Sequence, residues 1–164
     1  PPRSTLFPYT TLFRSQRLRE LQIQLPELPK PVASYLPAVI HGDIVYASGQ
    51  TGTQYQQLVY RGKVGAEVTL EEAKESARLA VLNCLAELQF VMKDLNRIER
   101  IIRLTGFVAS APSFTNQPQV IEGASALLIE IFGESGWHAR SAIGVCALPS
   151  DAPVEVELIV SLKS

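Results

Sequence analysis

An arginine at the start of one predicted strand and two glutamates on the next are the residues of this chain with the clearest chemical potential. Arg140 opens a run of small and apolar residues, and Glu155 and Glu157 alternate with apolar residues, which is the period of a strand with one apolar face. A guanidinium binds a carboxylate through two parallel hydrogen bonds, which lysine cannot reproduce. A glutamate can orient and deprotonate water. The pattern indicates an anion site with a water-handling group, although a surface arginine and two solvated glutamates explain the same spacing.

The segment that joins these two strands predicts a hairpin with its turn near Asp151. In that hairpin Glu155 lies opposite about Ala147, seven residues from Arg140, which is roughly 23 Å along the ladder. Arg140 and Glu155 then cannot share one small ligand within a single chain. Either they serve different sites, or a second subunit completes the site.

Three residues near the start of the predicted domain are further candidates. Tyr35 precedes the first strand, and Ser48 and Gly49 end the next one. A tyrosine hydroxyl at a cleft can donate a hydrogen bond to an imine or a water, although a half-buried structural tyrosine fits equally well. Gly49 predicts a tight backbone exit or the close approach of a ligand, because glycine has no side chain to obstruct either.

The first half of the chain predicts a hairpin and a long helix. Residues 34–48 form two strand-like runs separated by Gly42 and Asp43, and residues 49–67 predict a loop with at most one short strand. Thr69 and Glu72 have the spacing of a capping box. Apolar residues at helical spacing follow, so we expect a helix to about Asp94.

The second half predicts a strand, a helix and the final hairpin. Residues 97–110 are rich in β-branched residues, which favour a strand. The second helix opens near Thr115, has Pro118 in its first turn and ends at Gly133. The order β-β-α-β-α-β-β predicts an α+β fold, a mostly antiparallel sheet with two helices packed on one face.

Residues 1–15 predict a non-native leader. They resemble translated sequencing-adaptor sequence, and they lack the uninterrupted apolar segment and small-residue cleavage site of a secretory signal. We therefore expect a single domain over residues 16–164. It begins with a short helix at 17–24, which Pro26 ends.

Composition argues against several classes of function. The 164 residues are 46% hydrophobic and 19% charged, as in one globular domain. The net charge of −1 and the lack of a basic cluster predict no nucleic-acid partner. No apolar run approaches the roughly 20 residues of a membrane helix, so we expect no membrane association. Cys84 and Cys146 predict buried free thiols in a reducing compartment, hence a cytoplasmic location. His41 and His138 lack zinc-ligand spacing, so we expect no metal and no cofactor.

From about Leu25 to Leu162 the chain resembles the RidA (YjgF) family of reactive-imine deaminases. Tyr35, the Ser-Gly-Gln that ends the second strand, the run that starts at Arg140, and Glu155 carry the resemblance. It implies a chorismate-mutase-like α+β fold, assembled as a homotrimer with clefts between subunits.

The resemblance also implies roles for individual residues. Arg140 would bind the carboxylate of a 2-imino acid, Glu155 would hold and deprotonate the hydrolytic water, and Tyr35 would bind or polarise the substrate. Ser48, Gly49 and Ala142 would line the substrate site, the last through its backbone carbonyl. The implied activity is that of a 2-iminobutanoate/2-iminopropanoate-type deaminase, which releases a 2-keto acid and ammonia.

The chain departs from the family pattern at several points. Ala142 replaces a cysteine, and Gly123 stands where many members carry an asparagine that lines the site. Residues 49–67 and 109–117 are also longer than in compact members. These departures resemble a longer-chain RidA-like branch. His138, two residues before Arg140, is a further candidate base, although many members use no histidine.

Two other functions fit the same residues. The protein could be a non-catalytic module that binds a small carboxylate such as a 2-keto acid, because the retained Arg140 and the altered Gly123 equally permit that function. It could instead be an endoribonuclease, as some relatives are labelled. The near-neutral charge disfavours the second, since RNA binding depends on cationic contacts to phosphates.

Overall fold

The computed structural model describes residues 14–28 and 33–164. Three helices and eight strands form this part of the chain. The helices are α1 (Arg14–Glu20), α2 (Leu70–Met92) and α3 (Gln117–Phe132). The strands are β1 (Ala38–His41), β2 (Ile44–Ala47), β3 (Gln50–Thr51), β4 (Thr53–Gln54), β5 (Gln57–Leu58), β6 (Ile98–Ala109), β7 (Ala139–Val145) and β8 (Val154–Leu162).

One sheet organises the fold, in the order β1-β2-β8-β6-β7, with β3 also paired to β8. Every pair in this sheet is antiparallel except β6 with β7. Helices α2 and α3 pack against each other and against the sheet, which confirms the predicted α+β class. Among the described residues, no helix is long and apolar enough to cross a membrane.

The hydrophobic core lies between the sheet and the two long helices. Val154, Val156, Leu158 and Val160 of β8 are all at most 1% exposed, whereas the residues between them are not buried. The predicted alternation of this strand is therefore confirmed. We call the sheet surface opposite the helices the open face. Its positions across the central strands include Glu155, Glu157 and Ile159 of β8, Arg103, Thr105 and Phe107 of β6, and Ser141 and Ile143 of β7.

Local signals predicted the helices well. Thr69 caps α2 by accepting from the backbone N–H of Glu72, whose side chain accepts from the Thr69 backbone N–H at 2.8 Å. Helix α3 begins near the predicted position, and its last turn is closed by Gly133 with a φ of 61°. The two-residue turn at Gly42 joins β1 to β2, as expected.

The first helix differs from its prediction at both ends. Helix α1 begins at Arg14, before the predicted domain boundary, and ends at Glu20 rather than near residue 24. Gln22, with a φ of 56°, turns the chain out of the helix before Pro26 can. Arg14 lies over the ring of Phe132, 4.9 Å from its centre, so the start of α1 packs against the end of α3. Residues 1–13 of the predicted leader lie outside the described residues.

The predicted final hairpin is wrong, because β6 lies between β7 and β8. Strand β7 pairs with β6 in parallel, and β8 pairs with the other side of β6. Parallel neighbours require a crossover connection, and α3 supplies it between β6 and β7. At the end of β6, Ala109 N–H donates to Pro153 and Ser110 N–H donates to Val145. The segment from β7 to β8 therefore passes across the end of β6.

The prediction for Cys146 is also wrong. Cys84 is buried in α2, but Cys146 is exposed. Cys146 follows the end of the edge strand β7, where its apolar neighbours do not form part of the core. Both cysteines are free thiols within the described part of the chain.

Candidate active site

Arg140 and Glu155 lie on opposite faces of the sheet. Arg140 is in register with Leu104, which is in register with Leu158 on the helix-covered face. Glu155 is in register with Phe107 on the open face. Their Cα atoms are roughly 14 Å apart, from three residues along the strands and two strand spacings. This separation is shorter than the roughly 23 Å expected from a hairpin. Because the two side chains are on opposite faces, the sheet prevents both from contacting one small ligand within a chain.

The Arg140 guanidinium is held at one nitrogen and free along one edge. Its Nη1 donates to Glu122 Oε2 at 2.9 Å and to Ser125 Oγ at 3.2 Å. Its Nε and Nη2 make no hydrogen bond to the described residues, and the side chain is 27% exposed. Nε and Nη2 point in parallel, so this edge has the geometry that binds a carboxylate through two hydrogen bonds.

A cleft of about 290 Å³ opens beside Arg140. The lining residues come from the first turns of α2, from α3 and from β7: Leu70, Lys74, Pro118, Gln119, Glu122 and Arg140. The cleft is at the small end of the range for ligand sites. Arg140 is paired with Glu122 in this lining, and Lys74 lies 3.8 Å from Glu71, so the free edge of Arg140 is the group of the cleft best suited to a carboxylate.

Ala142 lies on the same strand and face as Arg140. It is in register with Gly106 and packs against the edge of the core. Strand β7 has only one neighbour in the sheet of the described residues. Alternate backbone N–H and C=O groups of β7 therefore point outward, where a ligand or another chain can meet them.

Gly49 and Glu155 are brought together on the other side of the sheet. A Cβ atom at residue 49 would collide with Oε1 of Glu155, and the neighbouring pair Thr51 and Glu155 is in register. The absence of a side chain at Gly49 makes room for the Glu155 carboxylate, and the expected approach of a ligand there stays a prediction. Burial raises the pKa of Glu155, and the nearby charge of Glu157 raises it further.

Ser48 fixes the segment that carries Tyr35. The Ser48 hydroxyl donates to the Leu36 carbonyl at 2.6 Å, and the Ser48 backbone N–H donates to the Pro37 carbonyl at 2.8 Å. The single hydroxyl proton of Ser48 is thus used, which leaves only its lone pairs for a ligand. Tyr35 is 53% exposed, so its side chain is accessible in the single chain.

Gly123, expected to stand at a ligand-lining position, is a packing residue between the helices. A Cβ atom there would collide with the backbone carbonyl of Lys74 in α2. Any larger side chain would push α2 and α3 apart. The close packing of α2 against α3 therefore explains why residue 123 is glycine rather than asparagine in this chain.

Sequence reasoning missed the buried acid Glu87. Its side chain lies in α2 and is 3% exposed. Gln50 Nε2 donates to its Oε1 at 2.7 Å, whereas Oε2 has no partner among the described residues. Burial raises the pKa of Glu87 to about 8. The helical periodicity placed position 87 outside the apolar stripe, and only packing against β3 shows that it is buried.

Sequence reasoning also missed the partners of Arg140. Glu122 and Ser125 are three residues apart on α3, a spacing that places them on one helix face, but nothing local links that face to β7. His138 was a candidate base, and its Nε2 lies 3.0 Å from Ser125 Oγ. Within residues 14–28 and 33–164, no group of three or more His, Cys, Asp or Glu side chains is placed to hold a metal.

The mostly antiparallel sheet, its two covering helices and the arginine on the edge strand define a chorismate-mutase-like α+β protein. Residues 15–162 match the family described as "YjgF/chorismate mutase-like, putative endoribonuclease". The chain belongs to this family, the RidA (YjgF) family.

Two related proteins and one solved structure are similar to this chain over most of its length and carry different descriptions. Protein TCP17 of Trypanosoma cruzi is 38% identical over 90% of this chain and 92% of that protein. The 2-iminobutanoate/2-iminopropanoate deaminase of Dermatophagoides farinae is 28% identical over 86% of this chain and 95% of its own length. A solved structure from Shewanella oneidensis MR-1, titled a "putative endoribonuclease", is 34% identical, has a TM-score of 0.88, and covers 92% of this chain and all of its own.

Proposed function

We propose that this protein hydrolyses 2-imino or enamine acids to 2-keto acids and ammonia. The observation that carries the proposal is the guanidinium of Arg140, held at Nη1 with its Nε and Nη2 edge free beside a small cleft. That edge fits the carboxylate which every 2-imino acid carries. The imine deaminase from Dermatophagoides farinae supports the reaction type.

Glu155 supplies the base in this proposal. As water adds to the imine carbon, Glu155 takes one proton of the water while the C=N π electrons move to nitrogen, and Glu155 then delivers that proton to the nitrogen, which forms the carbinolamine. Glu155 next takes the hydroxyl proton of the carbinolamine and returns a proton to the amine nitrogen as the C–N bond breaks, which releases ammonia and leaves the 2-keto acid. A carboxylate whose pKa is raised by burial is a stronger base at neutral pH than an exposed one. Imines react with water unaided, so positioning of substrate and water suffices without a metal or cofactor.

The remaining proposed groups contact the substrate from two sides. The backbone carbonyl of Ala142 accepts the imine N–H next to Arg140. Tyr35 binds or polarises the substrate, and Ser48 holds the segment that carries Tyr35. Gly49 leaves the space into which the Glu155 carboxylate reaches.

A homotrimer completes the site in this proposal. Arg140 and Glu155 are on opposite faces of one sheet, so Glu155 of one subunit acts on a ligand bound by Arg140 of another. Apolar side chains on the open face support such an assembly. Val39 and Tyr46, which are in register, are each 49% exposed in the single chain, and neighbouring exposed apolar side chains are typical of a protein–protein interface.

Imines generated in place provide the test of this function. An L-amino-acid oxidase produces the imino acid, and its decay and the release of ammonia are followed with and without the protein. We expect faster decay with wild type and little acceleration with Arg140→Lys. Binding of 2-oxobutanoate without any acceleration of imine decay would favour the non-catalytic binding module.

RNA cleavage is the other candidate, because the family and the Shewanella oneidensis relative are both described as endoribonucleases. A net charge of −1 gives little attraction to the phosphate backbone. Incubation of the purified assembly with single-stranded RNA decides this point, and we expect no cleavage. The exposed free thiol of Cys146 favours a reducing compartment such as the cytoplasm.

A further inference from the structure

A continuous chain of hydrogen bonds runs from the backbone to the guanidinium of Arg140. His138 Nδ1 lies 2.6 Å from the Gly136 carbonyl oxygen, and His138 Nε2 lies 3.0 Å from Ser125 Oγ. Ser125 Oγ in turn accepts from Arg140 Nη1 at 3.2 Å. The chain joins the segment before β7, helix α3 and strand β7 at one point.

The two ends of this chain determine where each proton lies. A carbonyl oxygen only accepts, so His138 Nδ1 carries a proton and donates to Gly136. In the neutral ring Nε2 is then an acceptor. The Ser125 hydroxyl therefore donates its hydrogen bond to Nε2 and turns a lone pair toward Arg140. His138 thus orients the Ser125 hydroxyl in the direction that holds Arg140.

The contact with Ser125 is better placed to hold Arg140 than the ion pair with Glu122. Glu122 is 56% exposed in that ion pair, and exposed ion pairs are weak because water and salt screen them. Ser125 is 5% exposed, and its hydroxyl is fixed at both ends. A long arginine side chain otherwise has many rotamers, and ordering them on binding weakens affinity.

We infer that Ser125 and His138 are positioning residues that hold Nη1 of Arg140 and present its Nε and Nη2 edge to the substrate carboxylate. This inference rests on the proposed function of Arg140, and it adds two residues to the same site. Neither residue contacts the reacting atoms. Their effect is on carboxylate binding, which is equal in the ground and transition states, so KM should rise while kcat stays nearly constant.

Binding of 2-oxobutanoate to the full chain, measured by calorimetry, tests the inference. Ser125→Ala and His138→Asn should each weaken binding by about 2- to 10-fold. His138→Gln should bind almost as wild type, because its amide oxygen reaches the position of Nε2, whereas asparagine reaches only that of Nδ1. Ser110→Ala is the matched control, since Ser110 also accepts a hydrogen bond from α3, through Gln117 at 3.2 Å, but does not contact Arg140.

Combination with Arg140→Lys tests whether the effect passes through the guanidinium. Ser125→Ala should weaken binding further by less than about twofold in the Arg140→Lys background, because coupled residues are not additive. Full additivity, or equal affinities for His138→Asn and His138→Gln, would overturn the inference. The pair of histidine variants remains informative even if Ser125→Ala fails to fold.

A measurement without ligand separates this inference from the proposed function. The Nε–H resonance of Arg140, assigned by its loss in Arg140→Lys, reports the order of the guanidinium by NMR relaxation. It should be ordered in wild type and His138→Gln and mobile in Ser125→Ala and His138→Asn. If wild type neither binds 2-oxobutanoate nor accelerates imine decay, the proposed function fails while this readout still tests the positioning. An equally ordered Arg140 in all variants would refute the positioning role.

Discussion

The carboxylate of Glu155 occupies the space that a side chain at residue 49 would need. Gly49 follows β2, and Glu155 is near the start of β8, so these residues meet only because β3 pairs with β8. The absence of a side chain at Gly49 thereby sets the position of the candidate base.

Gly49→Ala should therefore displace Glu155. We expect a clear loss of imine hydrolysis with a smaller change in 2-oxobutanoate binding, because Arg140 lies on the other face. The double variant Gly49→Ala/Glu155→Ala identifies the clash. With the carboxylate removed, the double variant should melt at the temperature of Glu155→Ala alone. If Gly49→Ala lowers the melting temperature as much in the Glu155→Ala background as in wild type, Glu155 is not the group displaced.

Glu155→Gln should slow hydrolysis while 2-oxobutanoate still binds, because the amide keeps the shape and loses the proton acceptor. General bases typically contribute about 10²–10⁴-fold to the rate. Because imines also hydrolyse in water without a catalyst, we expect a rate loss in the lower part of that range. Steady-state rates of ammonia release check this. Glu157→Gln, two residues away on the same face, is the matched control, and equal small effects from both variants would contradict the role of Glu155.

Glu157→Gln should instead shift the pH dependence of hydrolysis. Burial raises the pKa of Glu155 first, and the charge of Glu157 adds to this. Removal of that like charge lowers the pKa of Glu155, so the acidic limb of the rate profile should move to lower pH. A limb that stays in place or moves to higher pH would show that Glu155 is not the titrating group.

Arg140→Lys should weaken 2-keto acid binding and hydrolysis although it preserves the charge. Lysine cannot present two parallel donors, and a lost hydrogen bond to a charged group costs about 1–3 kcal/mol. Calorimetry and thermal melting should show weaker binding with almost unchanged stability. Wild-type affinity in this variant would remove Arg140 from the site.

Glu87→Gln should flatten the dependence of stability on pH. Burial raises the pKa of Glu87 to about 8, well above the ordinary value for glutamate, so the folded state keeps a proton that the unfolded state releases. The stability from this group is complete below the unfolded pKa of about 4.3 and declines as pH rises through about 8. Melting curves from pH 5 to 9 should show this decline in wild type and less of it in Glu87→Gln.

The protein should sediment as a trimer at micromolar concentration, since Arg140 and Glu155 need two chains to meet. Tyr46→Glu places a charge on the open face, where Tyr46 is in register with Ile159, and should dissociate the assembly. Analytical ultracentrifugation measures both. A monomeric wild type that still hydrolyses imines would contradict the composite site.

Local sequence determined the elements of this protein because their signals lie within a few residues. The capping pair Thr69 and Glu72 begins α2, Gly133 ends α3, and the alternation around Glu155 marks which face of β8 is buried. These features depend on backbone geometry and on the periods of helix and strand. The family resemblance also rested on short motifs of this kind.

Tertiary structure alone decided how those elements meet. The neighbour of β7 is β6 rather than β8, because α3 makes a crossover that sequence adjacency does not reveal. That choice sets the separation of Arg140 and Glu155, since two strand spacings and three residues now lie between them. It also brings His138 to Ser125. Contacts between residues distant in the chain depend on which strands share hydrogen bonds and which helix covers them, and no local pattern encodes that choice.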